Sequence, residues 1–256
     1  MPDIVTLEVS ERIATITLNR PEARNALSSE MLRLLPQRFL EADANDDVDV
    51  IVLTGADPAF CAGLDLKELG STGANLAVDT NGELERPIPD VSKPVIGAVN
   101  GPAITGGFEL ALACDFLVAS ERARFGDTHA RVGVMPGWGL TVLLPQAIGV
   151  RRAREMSYTG NFITAHEALQ WGLVNHVVDH IDLLPFTRRL ALDIVSNDQR
   201  GVRQIRRTYA AVASGTVEEG WRIERRDAAA WLREGLEPSE VERRREAIRQ
   251  RGQAQT

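Results

Sequence analysis

An α/β fold, built from successive units of two short strands and a helix and closed by a C-terminal helical region, is predicted by three observations. Short β-branched apolar runs recur through the first half of the chain, each ending at a Gly or Asn turn and followed by a helix-like stretch. Two of these strand ends carry glycine-bearing turns of the same kind, at 58–66 and 100–110. From about residue 147 onward helical segments dominate. The spacing of the units is irregular, so this is an echo of supersecondary structure rather than a sequence repeat.

Taken in order, residues 4–9 and 13–18 alternate apolar and polar side chains like two paired strands, with Ser10-Glu11 as the turn. Ser28 is placed to cap a helix carrying Met31, Leu34, Leu35 and Phe39, which Pro36 should kink or shift. The run 50–55 is a strand, and the turn after it opens a short helix with Asp65. Residues 70–89 are rich in Gly, Asn, Thr and Pro and read as a mobile surface loop. The run 94–99 is a strand that leads through glycines into a helix at 108–114. Further strands are expected at 115–119 and 173–178, and helices at 151–158, 183–196, 200–213, 216–234 and 238–251.

Bulk properties narrow the field. A chain of 256 residues can bury a sizeable core. Its net charge of −7 argues against a general nucleic-acid partner. Only Cys61 and Cys114 are present, both in apolar runs, which fits a reduced cytoplasmic protein without a disulfide framework. The first residues lack the pattern of a signal peptide. The uncharged run 132–150 has two prolines and several glycines, so it reads as turns and short buried elements and not as a membrane span.

The two glycine-bearing turns carry the chemistry. In Asn100-Gly101-Pro102-Ala103-Ile104-Thr105-Gly106-Gly107-Phe108-Glu109-Leu110 a strand meets a helix at a glycine pair, leaving the first helical N–H groups unpaired and suited to negative charge. Glu109 follows Gly106 by three residues, on nearly the same helical face. The companion turn is Pro58-Ala59-Phe60-Cys61-Ala62-Gly63-Leu64-Asp65-Leu66, and a backbone donor from each turn can converge on one carbonyl oxygen.

Both turns resemble the crotonase family, the enoyl-CoA hydratase/isomerase superfamily. The resemblance runs from residue 13 to about 190. It includes Leu18-Asn19-Arg20-Pro21-Glu22-Ala23-Arg24-Asn25-Ala26-Leu27 before the turns, and Phe125-Gly126 with Gly133-Val134-Met135-Pro136-Gly137 after them. It implies a crotonase-type spiral of ββα units over residues 1–195, with the CoA and active site, and a helical region over 196–256 that builds a homotrimer or homohexamer and covers the site. By resemblance the N–H groups of Leu64 and Gly106 form an oxyanion hole, and Glu109 is the acid/base residue. Ala62, Asp65 and Leu66 are expected near CoA, with Arg24 a candidate for its phosphates.

The chain departs from the family at His129, where hydratases typically carry a second glutamate. Histidine can still relay a proton near neutral pH, or simply help without transferring one, and Asp127 can orient its ring if the segment is extended. Thr105 replaces a frequent glycine, and Trp138 is a candidate wall of the acyl pocket or a core residue. The implied activity is water addition to a trans-2-enoyl-CoA, with no cofactor beyond the CoA of the substrate. Enoyl-CoA isomerisation, another reaction of the family and a non-catalytic CoA-thioester-binding role are the alternatives. No phosphate-binding loop, dinucleotide fingerprint or serine-hydrolase elbow occurs, and His176 and His180 fall in a strand-and-loop segment that does not suit a metal. The arginines at 243–251 alternate with glutamates, as on a solvated helical face, or meet a ligand phosphate.

Overall fold

The alternating start of the chain forms the expected hairpin. β1 (Val5–Ser10) and β2 (Ile13–Leu18) pair antiparallel, Val5 opposite Leu18 and Ser10 opposite Ile13. Glu11 and Arg12 make the turn, both with positive φ, as a tight hairpin between right-twisted strands requires. This computed structural model describes residues 3–76, 86–213, 215–234 and 237–254.

Ser28 caps α1 (Ser29–Ala44), its side chain accepting the Met31 N–H at 3.2 Å. Pro36 does not shift the start of the helix, which runs through it. An internal proline costs about 3 kcal/mol, but Met31, Leu35, Phe39 and Ala42 bury one continuous face, each large side chain there recovering about 1.5–3 kcal/mol. The far end of α1 is closed from outside: the Lys93 ammonium is buried and donates to Ala42 O at 2.8 Å and Asn45 O at 2.6 Å.

β3 (Val50–Gly55) joins β2 in parallel, and the turn after it leads to α2 (Leu66–Ser71). Of the segment expected to be a mobile loop, residues 74–76 form a 3₁₀ turn, and Asn75 is buried with its amide donating to Leu27 O and Asp65 O. Its middle lies outside the described residues. β4 (Val95–Val99) extends the sheet, and the chain then leaves it through β5 (Pro102–Ile104) and α3 (Gly106–Leu112). It returns as β6 (Phe116–Ser120), then pairs β7 (Arg124–Gly126) with β5. α4 (His129–Val132), α5 (Leu140–Ile148) and α6 (Val150–Thr159) follow.

Two strands interrupt the helical second half. β8 (Phe162–Thr164) was not expected from the sequence, because three residues show no period. It pairs antiparallel with β7. α7 (Ala165–Trp171) comes next, and β9 (His176–Val178) then closes the large sheet in the order β1-β2-β3-β4-β6-β9, while β5-β7-β8 forms the small one. α8 (Leu183–Val195) covers one face of the large sheet, where Val50, Val52, Ile96 and Val118 meet Leu183 and Ala191. The opposite face, with Ile51, Leu53, Val95 and Leu117, packs into the main core together with α1 and α3. Strands buried on both faces read as continuous apolar runs, as β3 and β4 do.

The chain divides into two compact units, residues 1–203 and 204–256, with the division inside α9 (Gln199–Ala213). α10 (Val217–Glu234) and α11 (Pro238–Ala254) complete the second unit. On α11, Arg243 and Arg244 pair with Glu240, Arg245 with Glu242 and Arg249 with Glu246, which is the solvated-face arrangement. Among the described residues no helix is long and apolar enough to cross a membrane.

Candidate active site

The two glycine-bearing turns lie against each other backbone to backbone. Cys61 N–H donates to Pro102 O at 3.0 Å and Ile104 N–H to Cys61 O at 2.9 Å, so the first turn runs beside β5 like a further strand. Two glycines permit this approach. A Cβ on Gly107 would stand 2.2 Å from Cys61 O. Gly63 has a φ of +88°, and a Cβ there would lie 2.8 Å from Ile104 O and 3.4 Å from Gly106 N. The N–H groups of Leu64 and Gly106 are thus presented from adjoining segments, and neither has a hydrogen-bond partner among the described residues.

Thr105 sets the entry to α3 with φ 52° and ψ −113°, a conformation that costs a non-glycine residue about 1–3 kcal/mol. Its hydroxyl lies 2.5 Å from that of Thr128 and accepts the Thr128 N–H at 3.2 Å, while its own N–H donates to Gly126 O. These bonds hold the strained residue and tie the start of α3 to the segment that carries His129.

Glu109 is buried in α3, 2% exposed, among Phe108, Leu110 and Ala111. A carboxylate there needs donors. Its Oε1 accepts the N–H of Trp138 at 2.8 Å and of Leu140 at 3.2 Å, which seats it at the N-terminus of α5, where the helix dipole favours an anion. Its Oε2 faces His129 Nε2 at 3.4 Å. These partners, 29 and 31 residues away along the chain, have no signature in the local sequence.

His129 is buried as the first residue of α4. The segment is not extended there, so Asp127 reaches the ring differently from the expectation. Its Oδ1 accepts both the His129 backbone N–H at 3.1 Å and the ring, 2.6 Å from Nδ1. Burial alone would lower the His129 pKa, but hydrogen bonds and charges from Asp127 and Glu109 outweigh it and carry it up to about 9. Burial likewise works against the Asp127 carboxylate, yet hydrogen bonds from His129 and Ser157 hold its pKa below the usual value.

These shifts make a stability prediction. With a folded pKa above its unfolded value of about 6.5, His129 stabilises fully below about pH 6.5 and loses that contribution as pH rises through about 9. Thermal melting of the wild type should therefore fall more steeply between pH 7 and 10 than that of His129→Gln. Parallel curves would contradict the shift. The depressed Asp127 pKa acts at the other end, its contribution being lost as pH falls below the ordinary carboxylate range.

The remaining predicted positions are placed as follows. Trp138 is buried, with its ring against Gly106, where a Cβ would come within 2.8 Å of Cζ3, and its Nε1–H has no partner among the described residues. Ala62 N–H donates to Arg24 O at 3.0 Å, which brings these two together, and the Arg24 side chain is exposed. The Asp65 side chain caps α2 and pairs with Arg20 at 3.1 Å. Its N–H donates to Leu27 O and its carbonyl accepts from Asn75 and Leu69, so both are engaged within the protein. Leu66 is exposed. His176 packs on Phe186, whereas His180 bonds to Ser120 and Asp57. Among the described residues no group of three or more His, Cys, Asp or Glu could hold a metal ion.

A cavity of about 880 Å³ opens elsewhere, at the carboxyl ends of β3, β4 and β6, lined by Asp57, Asn100, Arg122 and His180 among others and by none of Leu64, Gly106, Glu109 and His129. Its Asp57–His180–Ser120 chain stitches strand ends together. Ser120 is fully buried and also accepts the Arg122 N–H.

The α/β core thus brings together two adjoining turns whose Leu64 and Gly106 N–H groups have no partner among the described residues, and a buried carboxylate three residues beyond Gly106. Residues 8–233 match the family described as enoyl-CoA hydratase/isomerase, and the chain belongs to this family. An enoyl-CoA hydratase of Mycobacterium tuberculosis H37Rv, known from its crystal structure, is 50% identical, with a TM-score of 0.77 over 86% of this chain and 96% of that one. The (E)-benzylidenesuccinyl-CoA hydratase of Thauera aromatica is 41% identical over 75% of this chain and 76% of its own. The crotonyl-CoA hydratase of Syntrophomonas wolfei is 37% identical over 78% of each.

Proposed function

We propose that the protein adds water across the double bond of a trans-2-enoyl-CoA, and that Glu109 and His129 divide the proton transfers between them. The observation that carries this reading is the buried pair itself: one carboxylate oxygen is fixed by α5, and the other lies 3.4 Å from His129 Nε2, in surroundings that raise the pKa of the ring to about 9. Glu109 takes a proton from water as the hydroxyl forms its bond to the β-carbon. The electron pair moves to the thioester oxygen, held by the N–H groups of Leu64 and Gly106. His129 Nε2–H protonates the α-carbon, and the proton on Glu109 then crosses to His129, which restores the pair. One preorganised donor to such an oxygen is worth about 2.7–4 kcal/mol of barrier.

CoA enters as part of the substrate and no further cofactor is assigned. Arg24, Ala62, Asp65 and Leu66 are its proposed contacts, with Trp138 walling the acyl end. The Thauera and Syntrophomonas hydratases are named for acyl groups of very different size, and assay with a series of enoyl-CoA thioesters assigns the acyl chain. Exposed Tyr209, Trp221 and Leu232 in the helical region support assembly as a homotrimer or homohexamer, and the burial of both cysteines supports a cytoplasmic location. Purified protein offered trans-2-enoyl-CoA and 3-enoyl-CoA tests the reaction: 3-hydroxyacyl-CoA from the first is expected. Double-bond migration without net hydration would make it an isomerase, and binding without turnover would make it a CoA-thioester binder.

A further inference from the structure

The site contains a third ionisable group that the hydration chemistry does not use directly. Asp127 stands within a chain that runs from Ser157 through Asp127 and His129 to Glu109. Its Oδ1 is engaged twice by one residue, through the His129 backbone N–H and through Nδ1, so the ring cannot rotate without breaking a bond. The carboxylate is 1% exposed, so water does not compete for it. The Asp127 acceptor keeps one ring proton on Nδ1, so the second proton of the charged ring sits on Nε2, the atom that faces Glu109, and is the one the ring can give up.

We propose that Asp127 is a positioning residue of this site, which locks the His129 ring with its Nε2–H toward Glu109 and thereby makes a histidine the proton donor to the α-carbon. The inference rests on the reading of Glu109 and His129 as the acid/base pair. The charged groups facing the ring are the Glu109 carboxylate from α3 and the Asp127 carboxylate from the turn before α4. α6 contributes Ser157, which bonds to Asp127. On α4 itself Arg131 is turned away, donating to Thr159 O and Asn161 Oδ1. Asp127 is thus the group through which the state of the ring can be changed without touching the groups that meet substrate.

The test is the pH profile of kcat for crotonyl-CoA hydration, in wild type, Asp127→Asn and Asp127→Ser, beside an NMR titration of the His129 ring in the same proteins. Asparagine and serine can each accept the backbone N–H but lack the charge. Wild-type His129 is expected to titrate near pH 9. In the variants its midpoint should move by about two units toward the ordinary histidine value of about 6.5. The alkaline limb of kcat should follow it, with kcat at pH 8 down about 10- to 100-fold and KM changed less than about threefold. A wild-type midpoint near 6.5, or variants whose midpoint and limb match the wild type, would overturn the proposal. If the wild type titrates near 9 and the variants shift but no hydration occurs, Asp127 keeps its positioning role and the hydratase reading is what fails.

Discussion

Glu109→Gln should lower hydration of crotonyl-CoA by about 10²- to 10⁴-fold, the range typical of a lost general acid or base, while leaving the fold in place. The reason lies in the unequal surroundings of its two oxygens. Oε1 serves structure, accepting the N–H groups of Trp138 and Leu140 at the start of α5, and a glutamine carbonyl can do the same. Oε2 is left for chemistry, facing His129, and an amide nitrogen there can neither take a proton from water nor pass one to the ring. The rate follows from the loss of enoyl-thioester absorbance, and a melting temperature within a few degrees of wild type shows that the seat survives. A variant that keeps most of its activity would remove Glu109 from the chemistry. Glu109→Ala, by contrast, should cost stability as well, because two buried N–H groups lose their acceptor, at about 1–3 kcal/mol each.

Gly107→Ala should damage both the fold and the rate. The added methyl has no space: backbone oxygen of Cys61 stands 2.2 Å from its position, and the Cys61 carbonyl carbon 2.7 Å. Backbone cannot swing aside as a side-chain tip can, so α3 must retreat from the turn at Cys61–Leu64. Overpacking of this kind costs about 1–3 kcal/mol and occasionally more, and for a unit of this size each kcal/mol lowers the melting temperature by about 2–4 °C. The same retreat separates the Gly106 and Leu64 N–H groups. Loss of one such donor lowers kcat about 10²- to 10³-fold, so a similar fall is expected at temperatures where the variant is still folded. A variant that melts like wild type and retains its rate would show that the two turns do not need this contact.

Much of this architecture could be read from the chain, and the parts that could not share a physical cause. The hairpin, the apolar strands and the capped α1 announce themselves through local period and capping chemistry. The glycines at 63, 106 and 107 mark where backbone must approach backbone, so the turns that hold Leu64 and Gly106 were visible before their meeting was. Pro36 does not shift the start of α1, because its local cost is overridden by the buried face of Met31, Leu35, Phe39 and Ala42. β8 exists only through its pairing with β7. Within the site, Glu109 and His129 were identifiable by position, whereas the seat of Glu109 at α5 and the support of Asp127 by Ser157 join residues about thirty apart, which no local pattern encodes. Asp65 shows the converse: the same acidic side chain in a conspicuous turn that suggests a ligand contact also caps α2 and pairs with Arg20.

The central claim is that Glu109 and His129 act as one proton-transferring unit in the hydration of an enoyl thioester. Its most direct test is the rate of crotonyl-CoA hydration by the wild type, Glu109→Gln, His129→Gln and the double variant. Residues that work as a unit are strongly non-additive, so the wild type should hydrate the substrate and the double variant should be little slower than the slower single one. Losses that multiply across the two positions, or a wild type that binds the thioester and adds no water, would contradict it.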